Sequence, residues 1–139
     1  MITGLLMHAV GKGNNLLFRI PMMGEKVVRT QGRVLANLAF HAPLIGGKRC
    51  KTLGEVKEEW LKFLARSGIY PTITREDDQE FEFTLDACPW GFQGPDGVGV
   101  CDACMDLDRT YVKLLGGELE VRESIPSGGA CCTSVVRKT

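Results

Sequence analysis

The chain has 139 residues, of which 44% are apolar and 24% charged, the balance of an ordinary soluble globular protein. This length suits one domain built around one core. Lysine plus arginine equal aspartate plus glutamate at 17 each, so the formal net charge is zero. Because there is no basic excess, the composition argues against a nucleic-acid-binding protein.

The N-terminal stretch MITGLLMHAVGKG has no basic leader, and His8 and Gly11 interrupt its apolar residues. It does not resemble a signal peptide, and the apolar runs of the chain are too short to span a bilayer. We therefore expect a cytoplasmic protein with no membrane partner. Residues 1–22 are expected to form an N-terminal arm or a strand, with LLFRI at 16–20 as the strand.

Two helices are predicted next. Between Gly24 and His41, apolar residues recur at helical spacing and basic residues occupy the other side. The apolar set is Val27, Val34, Leu35 and Leu38, and the basic set is Lys26, Arg29 and Arg33. The second helix begins with a capping box, in which Thr52 and Glu55 satisfy backbone amides, and it ends at Gly68. Its apolar stripe contains Leu53, Val56, Trp60, Phe63 and Leu64.

Two hairpins and a third helix complete the predicted fold. The segments IYPTITRE and EFEFTLD alternate apolar and polar residues, as do ELEVRES and CCTSVVRK, which predicts antiparallel strands. Residues 102–115 are predicted to form a helix that ends at Gly116. The element order α-α-β-β-α-β-β is typical of an α+β domain, with helices packed on one face of an antiparallel sheet of two hairpins.

Six cysteines are the main chemical feature. Cys88 follows a strand, Cys101 and Cys104 lie one turn apart at the start of the third helix, and Cys131 and Cys132 open the last strand. Because neighbouring strand residues point to opposite faces, only one of the terminal pair is expected to join the others. Cys88, Cys101, Cys104 and Cys132 are therefore candidate metal ligands, for zinc or, as the less favoured cofactor, an iron–sulfur cluster.

The same thiols have two other interpretations. A helix start lowers the pKa of a cysteine, so Cys101 is a candidate nucleophile, with Cys104 as its partner and Asp108 as proton carrier. Buried cysteines also often serve as small apolar filler, which is the interpretation for Cys50. Trp90 is a candidate wall of an apolar pocket, and Tyr111, on the same helix side as Cys104, a candidate hydrogen-bond donor to a ligand.

The C-terminal half carries a family resemblance. Cys88-Pro89, then Cys101-Asp102-Ala103-Cys104 opening a helix, then LLGGELEVRESIPSGGACCTSVVR, resembles the L-2-amino-thiazoline-4-carboxylic acid hydrolase-like family. The pattern is similar, more loosely, to vinyl-reductase-type hydrocarbon-binding domains. The resemblance covers residues 53–138 and implies a small-ligand pocket between the third helix and the sheet, bounded by cysteines.

Two functional hypotheses follow from these residues. One is a small-ligand-binding domain that hydrolyses a cyclic C–N bond, as the resemblance implies. The alternative is a non-catalytic module that binds a metal, zinc or an iron–sulfur cluster, or senses a small molecule through oxidation of its thiols. An exposed hairpin edge also makes a homodimer a candidate form of the protein.

Overall fold

The computed structural model describes residues 2–139, and these residues form four α-helices and four β-strands. A short 3₁₀ turn, Pro95–Gly97, precedes the last helix. The helices are α1 (Ile2–Phe18), α2 (Gly24–Phe40), α3 (Leu53–Arg66) and α4 (Val98–Leu115), and the strands are β1 (Thr72–Glu76), β2 (Glu80–Leu85), β3 (Gly117–Glu123) and β4 (Cys132–Lys138). The predicted α+β class and element order are confirmed, with one additional helix at the N-terminus.

That additional helix corrects the prediction for residues 1–22. Residues 2–18 of this segment form α1, and residues 19–22 form the turn that follows it. The expected strand at 16–20 is wrong because residues 16–18 form the last turn of the helix. Leu5, Leu6, Met7 and Ala9 in the first half of α1 favour helix. Gly11 and Gly13 lower that preference without ending the helix. Met1 lies outside the described residues.

Helix α2, the first of the predicted helices, has the predicted bounds, but the face opposite to the expected one is buried. Gly24, Val28, Gly32 and Ala36, four residues apart, form the buried side of α2. The larger apolar residues that were expected to face the core are exposed, with Val34 at 51% and Leu38 at 64%. The small side chains on the buried face allow α2 to lie close to α4.

Gly32 shows how close the two helices are. A β-carbon built at Gly32 would lie 3.0 Å from the backbone nitrogen of Leu107 in α4. A larger side chain here would push the helices apart. The contact between α2 and α4 is also the most extensive one between two elements of the described chain.

Ion pairs extend this contact. Asp106 of α4 is 7% exposed and accepts hydrogen bonds from three arginines. Arg29 and Arg33 come from α2, with the shortest N–O distances at 3.0 and 2.8 Å, and Arg109 comes from α4 at 3.2 Å. Asp102 of α4 pairs with Arg29 and Arg109 as well. The basic side of α2, expected to face solvent, is therefore part of the interface between the two helices.

The strands form one antiparallel sheet in the order β1-β2-β4-β3. Phe83 pairs with Ser134 and Leu85 with Cys132, so these side chains share a sheet face. The main core cluster joins this face to α3 and α4 and includes Trp60. The two predicted hairpins are confirmed, and β4 lies between β2 and β3.

The predicted helix ends are largely confirmed. The Glu55 N–H donates to Thr52 Oγ1 at 3.2 Å, and the Glu55 carboxylate accepts from the Lys51 N–H at 2.6 Å. Gly68 and Gly116 follow α3 and α4 with φ of +74° and +100°, a backbone region that glycine adopts without strain. The third predicted helix begins earlier than expected, at Val98 rather than at residue 102.

We predict that Asp106→Ala lowers the free energy of unfolding by about 2–3 kcal/mol, because it leaves partly buried arginines without their shared acceptor. Urea denaturation measures this change. Glu25→Ala is the matched control, since Glu25 forms an exposed pair with Arg29, and its effect should stay below about 0.5 kcal/mol. Equal effects of the two variants would contradict a structural role for the buried carboxylate.

Candidate functional site

A cavity of about 120 Å³ lies between α3, α4 and the inner face of the sheet. Its buried wall contains Trp60 and Leu64 of α3, Phe83 of β2, Cys101 of α4 and Ser134 of β4. The half-buried residues that surround it come from α1, the loop after β2, and the ends of the strands. They include Met7, Leu85, Cys88, Pro89, Trp90, Ser124 and Cys132.

Three of the four candidate cysteines meet at this cavity. Cys88, Cys101 and Cys132 line it from three separate elements of the fold. Cys104 does not belong to its lining; its sulfur accepts a hydrogen bond from the side-chain amide of Asn14 at 3.5 Å, on the side of α4 that faces α1. Cys131 lies beside Thr133, with 3.6 Å between its sulfur and the hydroxyl oxygen.

Burial controls the chemistry of these thiols. It raises the pKa of Cys101 to about 12, helped by the nearby Cys88 and Cys132 thiols, and it raises the pKa of Cys104 to about 11. The lowered pKa expected for Cys101 at a helix start is therefore wrong. The helix begins three residues before Cys101, and this thiol faces hydrocarbon and sulfur rather than the free amides of the first turn. At neutral pH the Cys101 thiol is therefore protonated, and it contributes a weakly polar surface to the cavity wall.

The expected metal site gains no support from this arrangement. Within residues 2–139, no group of three or more histidine, cysteine, aspartate or glutamate side chains has a geometry that could hold a metal ion. Zinc or iron–sulfur binding by Cys88, Cys101, Cys104 and Cys132 stays a prediction from the sequence.

Asp108 contributes the carboxyl group of the cavity. In the part of the chain that the structure describes, this carboxyl has no hydrogen bond and no ion pair. Arg109 beside it binds Asp102 and Asp106 instead. Burial raises the pKa of Asp108 to about 7, against a smaller opposing effect of Arg109. A carboxyl group with this pKa can donate or accept a proton near neutral pH. The role of Asp108 as a proton carrier stays a prediction from the sequence.

The two predicted ligand-binding aromatic residues have different positions. Trp90 lines the cavity, and its backbone lies close to α1, since a β-carbon at Gly11 would collide with the Trp90 carbonyl oxygen. Tyr111 belongs to the core, where its ring stacks on Phe63 at a centroid distance of 3.9 Å. It is not part of the cavity lining, so the structure gives it a packing role.

Sequence reasoning missed several wall residues. Trp60 belonged to a predicted apolar stripe and was expected to be core, and Phe83 and Ser134 are strand residues without a motif. The alternation of β2 does place Phe83 on the inner face. The pairing of Phe83 with Ser134, which brings β4 to the cavity, has no signature within either strand.

Comparison with known proteins gives a fold and no family. No family model matches the chain, and no curated protein matches it. Among solved structures, the chain is similar to trafficking protein particle complex subunit 3 from Naegleria fowleri, whose structure was determined covalently bound to palmitic acid. The TM-score is 0.59 at 15% sequence identity, over 96% of this chain and 82% of that one. At this identity the similarity shows a shared fold alone.

The resemblance to thiazoline carboxylate hydrolases and hydrocarbon-binding domains stays a prediction from the sequence. No helix in residues 2–139 combines the length and the hydropathy needed to cross a membrane.

We predict that Asp108→Asn stabilises the protein in a pH-dependent way. The folded-state pKa of about 7 exceeds the ordinary value of 3.8, so the unmodified protein loses stability as pH rises from about 4 through 7. The asparagine variant lacks this loss. If Asp108 were fully buried, this loss of stability would be about 4 kcal/mol, at about 1.4 kcal/mol for each unit of pKa difference. Because the side chain is only half-buried, we expect about 1–2 kcal/mol.

Urea denaturation at pH 5 and pH 8 measures this effect. The variant should be more stable than the unmodified protein at pH 8, by a margin that shrinks at pH 5. A margin that is the same at both pH values would show that Asp108 does not titrate with a raised pKa.

Proposed function

We propose that this protein binds a small, largely apolar molecule in the cavity between α3, α4 and the sheet. The observation that carries the proposal is the composition of the wall, which consists mainly of aromatic rings, aliphatic side chains and thiols, with three serine hydroxyls and a single carboxyl group. Cavities of this kind favour apolar ligands because water gains few hydrogen bonds inside them.

The cavity volume limits the size of the ligand. An apolar protein cavity of about 150 Å³ stays dry and binds benzene. At about 120 Å³, the cavity here suits a ring or a short chain of about the same size. A chain as long as palmitate would require the surrounding half-buried residues to move apart.

One further observation supports hydrocarbon binding. The fold is shared with a protein whose structure contains covalently bound palmitic acid, so a fold of this type can hold an apolar chain. Covalent attachment to Cys101 is less favoured here, because the thiolate is the nucleophilic form and burial raises the pKa of Cys101 to about 12. We therefore propose non-covalent binding.

Hydrolysis of a cyclic C–N bond is the second candidate function. The observation in its favour is Asp108, whose carboxyl faces the same cavity as Cys101 and has a pKa of about 7, suited to proton transfer. Against it, the described residues that line the cavity include no lysine, arginine or histidine to hold the carboxylate of a thiazoline substrate. Binding is therefore the preferred proposal.

We predict that toluene, as an apolar probe, binds the cavity and stabilises the protein. At a free concentration ten times its dissociation constant, it should add about 1.4 kcal/mol to the free energy of unfolding. For a domain of this size that corresponds to a rise of about 4 °C in Tm. Thermal unfolding across a toluene titration measures the effect.

Ser134→Leu is the variant that tests the location, because leucine at this buried position would fill the cavity. It should keep the fold and lower toluene affinity at least tenfold. Thr133→Leu is the matched control, since Thr133 is the neighbouring residue on the other face of β4 and does not line the cavity. Equal toluene binding by both variants, or no binding by the unmodified protein, would contradict the proposal.

We also infer that a second copy of this chain covers the exposed apolar side of α2. Val27, Val34, Leu35 and Leu38 form this stripe, and each is at least 38% exposed. A twofold dimer places the same patch on both sides of the interface, and a zero net charge means that two copies do not repel each other. Protein–protein contact would remove the stripe from water.

We predict that Leu38→Glu prevents this self-association, because it would place a charge in the apolar contact. Analytical ultracentrifugation should show a dimer for the unmodified chain and a monomer for the variant. Tyr70→Glu, an equally drastic change at an exposed residue outside α2, should leave the dimer intact. A monomeric unmodified chain at concentrations up to about 100 μM would refute a stable dimer, which requires a tighter Kd.

A further inference from the structure

Two polar groups of the cavity wall have no partner within the protein. The Asp108 carboxyl and the Ser134 hydroxyl line the cavity and make no hydrogen bond in the part of the chain that the structure describes. Within residues 2–139, Trp60 Nε1 is the one side-chain nitrogen or oxygen that is both unpaired and closed off from water. The oxygens of Asp108 and Ser134 are unpaired without being closed off, so they border open space that a ligand can enter.

The geometry of α4 directs Asp108 toward the cavity. Cys101 precedes Asp108 by seven residues and Met105 precedes it by three, and all three residues line the cavity. Residues at these spacings share one face of a helix. The open space beside the Asp108 carboxyl is therefore the cavity. Ser134 reaches it from the sheet, where its strand partner is the wall residue Phe83.

The protein supplies no counterion for Asp108. The cavity lining among residues 2–139 contains no lysine, arginine or histidine. The adjacent Arg109 donates to Asp102 and Asp106 instead. Burial raises the pKa of Asp108 to about 7 in spite of this arginine. A ligand that brings a positive charge would stabilise the ionised carboxylate, whereas a ligand anion would be repelled by it.

We propose that the ligand is a small apolar amine, whose protonated amino group donates to the Asp108 carboxylate while its hydrocarbon part fills the cavity. An ammonium group has three N–H donors, so the Ser134 hydroxyl can accept a second hydrogen bond from it. Pairing with the carboxylate offsets the cost of removing the ammonium group from water. This inference rests on the proposed binding function and adds the chemical class of the ligand.

Four probes with a common phenyl ring test the inference: toluene, benzyl alcohol, benzylamine and benzoate. At pH 8 benzylamine is a cation, and Asp108, with a pKa of about 7, is mainly ionised. A hydrogen bond to a charged group corresponds to an affinity gain of about tenfold to a hundredfold. We expect benzylamine to exceed toluene by this factor, benzyl alcohol to lie between them, and benzoate to bind most weakly. NMR titration of the full chain measures the four affinities.

Asp108→Asn isolates the charge, because asparagine keeps the size and shape of the side chain. In this variant the affinity ratio of benzylamine to toluene should fall to about one. The variant is expected to be more stable than the unmodified protein at pH 8, so unfolding would not account for the loss. Asp78→Asn is the matched control, since Asp78 is exposed between β1 and β2 and does not line the cavity. It should keep the full ratio.

The outcomes separate this inference from the proposed function. If toluene binds and benzylamine gains nothing over it, the amine inference is wrong while apolar binding stands. A benzyl alcohol affinity equal to that of benzylamine would show that charge is not recognised, and a benzoate affinity above both would also overturn the inference. The same holds if Asp108→Asn keeps the advantage of benzylamine. If none of the four probes binds, the proposed binding function fails and the amine inference fails with it.

Discussion

The fold depends on the close packing of α2 against α4. Gly32 brings the two backbones near enough that a β-carbon would press on Leu107, and Asp106 joins the helices through arginines from both. Because α2 covers one side of α4 with small residues and salt bridges, the opposite side of α4 faces the sheet. That opposite side contributes Cys101 and Asp108 to the cavity. The candidate site therefore depends on a contact that lies on the other side of the helix.

The same contact explains the surface of the protein. A helix that buries glycine and alanine leaves its larger apolar residues in solvent, and α2 exposes Val34 and Leu38 in this way. In an ordinary amphipathic helix these residues would be the buried ones. Small residues allow closer approach of two helices and the short ion pairs of Asp106, and the cost is an apolar stripe that is exposed to solvent.

The sequence predicts the parts of the fold that have local signatures. The capping box at Thr52, the glycines after α3 and α4, and the period of two in the strands are short-range features, and the structure confirms them. The buried face of α2 could not be predicted, because helical spacing indicates an apolar stripe without showing which helix lies beside it. The α1 helix was missed because glycines and a histidine interrupt its apolar residues.

The candidate site was predictable in a similar, partial way. Cys88, Cys101 and Cys132 were predicted to lie together because they stand at the ends of helices and strands, and all three line the cavity. Cys104 and Tyr111 lie on other sides of α4 and do not line it. The positions of Trp60 and Ser134 in the wall depend on strand pairing and helix packing.

Crystals exposed to iodobenzene test the central claim, an apolar ligand in this cavity, most directly. The account predicts an anomalous iodine peak between Phe83, Cys101 and Trp60. A cavity without iodine in crystals that keep this fold, with the peak elsewhere or absent, would contradict it.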